Sequence, residues 1–164
     1  MTDLMFYNAM NDIKSFLEDE LGSLVNAVAI VNEFTVEQIL EHKRHNGVIV
    51  LINIGETPFR RIQHNDIYSY EFNPNFDIIA LATLMQNEVA NQKLSMAVVL
   101  RCMRLLTGKT IDNIGKLTLP VEANLSPITI IDPSTTEELA WGFQFPITGR
   151  ARLKINEIEL ETII

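Results

Sequence analysis

The amino-acid sequence predicts an α+β domain in which a mainly antiparallel or mixed sheet packs against two or three helices. Segments 4–21 and 91–107 carry apolar residues every three or four positions, a spacing typical of amphipathic helices. The run 48–54 is β-branched and apolar, and from residue 145 apolar and polar residues alternate, as expected for strands. Because the 164 residues contain no linker, repeat or low-complexity stretch, one domain over 1–164 is predicted.

The first helix has clear signals at both of its ends. Thr2 or Asp3 can cap its start, and Gly22 can end it. The side chains predicted to form its buried face are Leu4, Tyr7, Met10, Ile13, Leu17 and Leu21. The run 24–31 that follows is rich in β-forming residues. A Thr-x-x-Gln capping-box pattern then predicts a helix over 35–47.

Three strands and one loop are predicted in the middle of the chain. The run 48–54 lies between two glycines and is predicted to be a central strand. Residues 55–66 contain Pro58 and a polar, mixed-charge tip, so they are predicted to form an exposed loop. Residues 67–72 indicate another strand. The apolar run 76–85 favours a buried strand, although its alanines and leucines leave a helix as the alternative.

The helix over 91–107 has a predicted buried face and a glycine stop at Gly108. That face consists of Leu94, Val98, Cys102 and Leu105. Two short strands are predicted within 115–131, around the prolines of that segment. A short helix is predicted to open at Ser134 or Thr135 and to run to Trp141, with its acidic residues in the first turn, where the helix dipole favours them.

The last element is predicted to be one half-buried strand with a basic face toward solvent. Its inward residues are Phe145, Ile147, Gly149, Ala151, Leu153 and Ile155, and its outward residues include Arg150, Arg152 and Lys154. We call these three outward residues the basic stripe. After Asn156 the parity switches, so that Ile158 and Leu160 point inward. Such a switch requires a bulge or a turn.

Composition excludes several classes of function. Thirteen basic and 21 acidic residues give a net charge of −8, which disfavours binding to a phosphate backbone. No apolar run approaches the roughly 20 residues of a membrane span, so no membrane partner is expected. The N-terminus has neither the basic start nor the apolar centre of a signal peptide. The single cysteine cannot form an internal disulfide, which favours a reducing compartment such as the cytoplasm.

The residues that could carry chemistry have simpler structural interpretations. His42 and His45 could both reach a metal, but the zinc-protease pattern is absent and no third ligand follows. We interpret them, and His64, as solvated; a small metal-dependent hydrolase remains an alternative. Cys102 lies on an apolar helix face and is interpreted as buried and structural. Because no nucleophile elbow, phosphate loop or dinucleotide fingerprint occurs, no catalytic, cofactor-binding or metal-binding residue is predicted, and the chain is not expected to be an enzyme.

Interaction surfaces are the remaining candidates. The predicted loop carries Arg60 and Arg61, and residues 91–109 hold four basic side chains and no acidic ones. These regions and the basic stripe contrast with acidic neighbours, so opposed patches could pair head to tail between identical subunits and close into a ring. An apolar terminal strand over 158–164 could pair at a sheet edge. A solvated surface of mixed charge is the alternative.

Four passages in the chain carry a family resemblance. They are VIVLINIGETPFRR, NPNFDIIALATLM, NQKLSMAVVLRCMRLLTGK and STTEELAWGFQFPITGRARLKINEIELE. Together with the N-terminal helix, they resemble the tail-terminator, or tube cap, family of contractile injection systems, which is related to phage tail terminators. In that family a Glu-Glu-Leu…Trp segment precedes a proline-containing final strand. The matching residues here are Glu137, Glu138, Leu139, Trp141 and Pro146.

The resemblance implies a structural function without cofactors. It implies a hexameric ring that sits on the distal end of the inner tube, stops tube growth and contacts the last sheath ring. The expected partners are further copies of the chain, the inner-tube protein and the sheath protein. Alternatives are a phage tail terminator or head–tail joining protein, and a monomeric adaptor or chaperone. Charge and predicted exposure select the candidate interface residues Arg60, Arg61, Arg150, Arg152, Lys154, Ile158 and Leu160.

Overall fold

The computed structural model describes residues 5–31, 47–64, 67–83, 88–131 and 134–154. Within these residues, two α-helices and ten β-strands form an α+β fold with mixed and antiparallel sheets, which confirms the predicted fold class. The helices are α1 (Met5–Leu21) and α2 (Glu88–Leu106). The strands are β1 (Ala27–Ile30), β2 (Val48–Ile54), β3 (Phe59–His64), β4 (Ile67–Phe72), β5 (Asn75–Thr83), β6 (Thr110–Ile111), β7 (Gly115–Lys116), β8 (Ser126–Ile131), β9 (Glu138–Thr148) and β10 (Ala151–Lys154).

A five-stranded sheet in the order β1-β2-β5-β9-β8 forms the centre of the molecule. β1 runs parallel to β2, and the other neighbours are antiparallel. β5 pairs with β9 along its whole length, from Asn75 opposite Thr148 to Thr83 opposite Ala140. The run predicted as strand or helix over 76–85 is therefore a strand as far as Thr83, and its last two residues lie outside the described residues.

Both helices pack on one face of this sheet, α1 over β1 and β2 and α2 over β5 and β9. The core between them is apolar and includes the fully buried rings of Phe76 and Phe145. One polar contact joins α2 to the sheet: the buried hydroxyl of Ser95 donates a hydrogen bond of 2.8 Å to the carbonyl oxygen of Ala80. Gly142 lies beside this contact, where a side chain would collide with Ala80.

The predicted buried faces of the two helices need small corrections. In α1, the spacing correctly predicts Met10, Ile13, Leu17 and Leu21, but Tyr7 is 45% exposed. In α2, Val98 and Cys102 are buried as predicted, whereas Leu94 is exposed and Leu105 is only half buried. The sheet-facing side of α2 is rotated toward Leu106, which is fully buried.

The opposite face of the five-stranded sheet is also apolar. Its buried side chains are Ile49, Leu51, Ile79, Leu81 and Ala140, with Ile128 and Ile130 packed against them. In a strand that is buried on both faces nearly every residue is apolar, which explains why apolar and polar residues do not alternate in β2.

A second sheet of three antiparallel strands, in the order β10-β4-β3, corrects two predictions. The segment 55–66, predicted as a loop, contains β3, which pairs with β4 as a hairpin. The long strand predicted from residue 145 is split at Gly149 and Arg150 into β9 and β10, which belong to different sheets. The predicted alternation is nevertheless correct over Phe145, Ile147 and Ala151, which are buried.

A third correction concerns the predicted short helix before Trp141. The structure places the start of β9 at Glu138, and Thr136 has φ 58°, a left-handed conformation that interrupts a helix. β8 includes Pro127 as part of the strand, in register with Phe143. The helix predicted over 35–47 and the parity switch after Asn156 lie outside the described residues.

Candidate functional site

The basic residues of the small sheet gather around one carboxylate on its central strand. Glu71 in β4 lies directly opposite Arg60 in β3 and directly opposite Arg152 in β10. Directly opposed residues of neighbouring strands project to the same side of the sheet, so the three side chains share one face. Arg150, two residues before Arg152, reaches the same carboxylate.

All three arginines form ion pairs with Glu71. Arg150 Nη2 lies 2.7 Å from Oε2, and Arg152 Nη2 lies 3.4 Å from the same oxygen. Arg60 approaches the other oxygen, Oε1, with Nη2 at 3.0 Å and Nε at 3.2 Å. Both carboxylate oxygens therefore accept hydrogen bonds from guanidinium groups, which are among the strong charge-assisted bonds in proteins. We call Arg60, Arg150 and Arg152, with Glu71 between them, the arginine cluster.

Burial in the arginine cluster is very uneven. The Glu71 side chain is only 4% exposed, whereas the side chains of Arg60, Arg150 and Arg152 are 66%, 63% and 60% exposed. One negative and three positive charges leave two positive charges, and the exposed guanidinium groups carry them at the surface. The cluster is therefore a cationic surface that a buried anion holds in place.

The electrostatics of Glu71 follow from these contacts. The hydrogen bond from Arg150 lowers the pKa of the Glu71 carboxyl below its ordinary value, and the charges of Arg150 and Arg60 and the hydrogen bond from Arg152 act in the same direction. Burial opposes this by raising the pKa, but it does not prevail. Glu71 is thus held ionised.

The backbone at the corner between the two sheets positions Arg150. Arg150 N donates a hydrogen bond of 2.8 Å to the carbonyl oxygen of Ile114. Gly149 fits closely beside the same residue, since a Cβ there would lie 2.9 Å from the Ile114 carbonyl oxygen. Thr148 Oγ1 donates a hydrogen bond of 3.1 Å to the carbonyl oxygen of Pro74. These contacts fix the point at which the chain leaves β9, and they direct β10 toward β4.

The other face of the small sheet joins it to α1 through aromatic rings. Phe59 and Phe72 lie opposite each other in register and stack with ring centroids 5.6 Å apart. Phe72 also makes an edge-on contact with Phe6 of α1 at 5.8 Å. Such aromatic pairs contribute about 0.5–1.5 kcal/mol beyond the area that they bury. The arginine cluster therefore lies on the face of the small sheet that points away from α1, across the sheet from Phe6.

The structure brings some of the predicted interface residues together and separates others. Arg60, Arg150 and Arg152 meet at Glu71, although they come from segments 90 residues apart in sequence. Arg61 pairs in register with Tyr70 and, by strand alternation, lies on the opposite face from Arg60. Lys154 is in register with Ser69, but its side chain, together with Ile158 and Leu160, lies outside what the structure describes.

Sequence reasoning missed Glu71, the residue that organises the site. A usable signal existed: Glu71 is a single acidic residue in the otherwise uncharged strand IYSYEF, and a charge inside a strand calls for a partner. The prediction of β3 as a loop hid that partner, because no strand was expected opposite Glu71.

The other candidates for chemistry are Cys102 and the histidines. Cys102 is fully buried, which confirms its predicted burial, and burial raises its pKa to about 12, so it remains a thiol at neutral pH. Within the described ranges, no group of three or more His, Cys, Asp and Glu side chains is arranged to hold a metal ion. His42 and His45 lie outside those ranges, as does the side chain of His64.

One apolar groove of about 490 Å³ lies between α2 and β9. Its walls include Met96 and Leu100 of α2 and the rings of Trp141 and Phe143, which meet edge-on at 4.9 Å. Leu100 is 47% exposed at its rim. The groove has few polar groups, so it offers a surface for packing and no evident reactive centre.

The arrangement of the arginine cluster is suited to binding anions. A guanidinium group presents its N–H donors in a planar fork that matches a carboxylate.

In the part of the chain that the structure describes, neither helix is long and apolar enough to cross a membrane. No protein-family model and no curated protein matches this chain in comparison.

Proposed function

We propose that this chain is the cap of a contractile injection system. In this proposal, six copies form a ring that binds the distal end of the inner tube, contacts the last sheath ring and stops tube polymerisation. The ring assembles in the cytoplasm as part of a phage-tail-like particle. Its work is binding, and no covalent step is involved.

The observation that carries the proposal is the arginine cluster. Three exposed guanidinium groups held by one buried carboxylate form a fixed cationic surface on a chain whose net charge is −8. A fixed patch of one sign on a molecule of the opposite sign favours association with an acidic protein surface, and it steers that association. Every copy of this chain carries such an acidic surface, which favours self-assembly.

Two further features support the choice of a cap. The four passages that resemble the tail-terminator family include the three arginines of the cluster, although not Glu71: Arg60 lies in the first passage, and Arg150 and Arg152 lie in the last. The α+β fold with mixed and antiparallel sheets is the fold class predicted for the elements that carry this resemblance. The proposal therefore combines a sequence resemblance with a surface suited to assembly.

Electron microscopy with tubes tests this function. The chain is co-expressed with the inner-tube protein encoded in the same genome, and negatively stained particles are imaged. We expect short tubes with ring density at one end, and a ring mass of about 112 kDa, six times the 18.6 kDa chain. Tubes of unchanged length without bound ring would contradict the proposal. Capsid and terminase genes beside this gene would instead favour the phage terminator alternative.

A further inference from the structure

We infer that the arginine cluster docks onto the acidic C-terminal end of α1 in a second copy of this chain. This acidic helix end consists of Glu18, Asp19 and Glu20, all of which are exposed. The inference rests on the proposed function and names the two surfaces that would meet in the ring.

The cluster has donors available for an external carboxylate. The bonds from Arg150 and Arg152 to Glu71 use Nη2, and both side chains remain at least 60% exposed. Each guanidinium group carries five N–H donors, so several face solvent. Because Glu71 already holds the side chains in place, an incoming carboxylate meets donors that have lost much of their freedom, which favours binding.

The acidic helix end is electrostatically unfavourable in an isolated subunit. The carbonyl end of a helix carries partial negative charge, so basic side chains stabilise it and acidic ones destabilise it. The last turn of α1 contains no basic residue, and three consecutive acidic residues precede Leu21, the last residue of the helix. Within the subunit, Lys14 lies 3.8 Å from Glu18, one helical turn earlier. A cationic partner at this end would relieve the repulsion that remains.

Distance prevents the two surfaces from meeting within one subunit. The cluster lies across the small sheet from the N-terminal part of α1, where Phe6 contacts Phe72. Glu20 is 14 residues further along the helix, which at 1.5 Å per residue is about 21 Å away. An arginine side chain cannot span that gap, so the pairing must join two copies.

Pairing between unlike surfaces has a consequence for assembly. Each copy offers one cluster and one acidic helix end, so every copy can use both at once, head to tail. Such a heterologous contact repeats until the rotation between subunits closes a ring. The inferred contact is therefore of the kind that a cap ring requires.

Charge reversal with rescue tests the inference by sedimentation velocity in about 50 mM salt, where screening is weak. Arg152→Glu is the first variant, because Arg152 has the longest contact with Glu71 and its loss disturbs the cluster least. We expect self-association to weaken about tenfold or more. Arg152→Gln accompanies it, so that an effect of the introduced carboxylate beside Glu71 can be distinguished from the loss of the arginine.

The reciprocal variant is Asp19→Lys combined with Glu20→Lys, which should weaken association to a similar extent. Basic residues suit this helix end, so the folding of α1 should not suffer. Mixing this variant with Arg152→Glu should restore association, because each protein then supplies the charge that the other lacks. Lys93→Glu is the matched control, because Lys93 is an exposed cation far from the cluster. It lies beside Trp141, about 23 Å along β9 from Thr148, where the chain turns toward β10.

The outcomes separate the inference from the proposed function. The inferred pairing would be supported if self-association weakened in Arg152→Glu and in the helix-end double variant, recovered when the two were mixed, and stayed unchanged in Lys93→Glu. Absence of recovery, or a monomeric wild type up to about 100 µM, would overturn it. The capping of tubes is measured separately, so caps that still form with Arg152→Glu would reject this pairing and leave the proposed function standing.

Discussion

The five-stranded and the three-stranded sheet each contain an acidic residue with a shifted pKa, and the two pKa values shift in opposite directions. In the five-stranded sheet, burial raises the pKa of Asp77 above its ordinary value of 3.8. In the three-stranded sheet, Glu71 is more deeply buried, yet its pKa lies below the ordinary value because three arginines surround it, with the hydrogen bond from Arg150 as the largest cause. Burial alone penalises the charge, whereas burial among cations stabilises it.

This difference indicates how the two sheets are stabilised. The five-stranded sheet is buried on both faces by apolar side chains, so its stability derives mainly from area removed from water. The three-stranded sheet has aromatic packing on one face and the arginine cluster on the other. The first sheet should respond little to salt, and its pH response should come from Asp77, whereas the second should respond to both pH and salt.

The largest expected effect comes from the core of the five-stranded sheet. Phe76→Ala removes a fully buried ring and should lower the free energy of unfolding by about 3–5 kcal/mol. Denaturant unfolding followed by circular dichroism measures the change. Leu100→Ala, at a side chain that is 47% exposed, is the control and should change it by less than about 0.5 kcal/mol. Equal losses in the two variants would contradict the assigned core.

A smaller effect is expected at the corner that joins the two sheets. Gly149→Ala would place a Cβ 2.9 Å from the Ile114 carbonyl oxygen and 3.1 Å from its side chain. Because the oxygen belongs to the backbone, it cannot move aside freely, and we expect a loss of about 1–3 kcal/mol in the same assay. If Gly149→Ala left the free energy of unfolding unchanged, this corner would not be tightly packed.

The small sheet should show a pH-dependent loss in Glu71→Gln. The native pKa of Glu71 lies below its ordinary value of 4.5, so the ionised group contributes stability above pH 4.5 and loses that contribution as the pH falls through the native pKa. The wild type should therefore exceed Glu71→Gln in stability at neutral pH, by less than the Phe76→Ala loss, and the gap should narrow in acid.

Chemical unfolding of both proteins between about pH 3 and 7 measures that gap. Glu122→Gln, at an exposed carboxylate in a turn, is the matched control. A gap for Glu71→Gln that stays constant over this range would show that the three arginines do not stabilise the ionised form.

The smallest expected effect has the opposite sign and belongs to the large sheet. Since the native pKa of Asp77 is raised, its ionised form is less favourable in the folded protein than in the unfolded chain. Wild-type stability should fall relative to Asp77→Asn as the pH rises above 3.8. Thermal unfolding over this range measures the difference. The contrast between the sheets would be wrong if, with rising pH, the stability of the wild type changed in the same direction relative to Asp77→Asn as relative to Glu71→Gln.

The sequence predicts the large sheet better than the small one, and the reason is physical. β2 and β5 are long apolar runs, and only burial on both faces accounts for such composition. β3, with the sequence FRRIQH, lacks that signal because its partner residues Glu71 and Phe72 stabilise it across the hairpin. Such contacts between distant segments leave no local period in the sequence.

The candidate site was predictable only in part for the same reason. Charge contrast indicates Arg60, Arg150 and Arg152 individually, and the structure assembles all three. Their common partner, Glu71, could be found only by asking which cations would neutralise an acid within a strand. The separation of Arg61 from Arg60 follows from strand alternation, which a loop prediction cannot supply.

The central claim, that the arginine cluster is an assembly surface, is tested most directly by one measurement. Light scattering coupled to size exclusion compares the wild type with the combined variant Arg60→Gln, Arg150→Gln and Arg152→Gln at about 50 mM salt. We expect a multiple of 18.6 kDa for the wild type and the single-chain mass for a folded variant. Identical masses for the two proteins, whether assembled or monomeric, would contradict the claim.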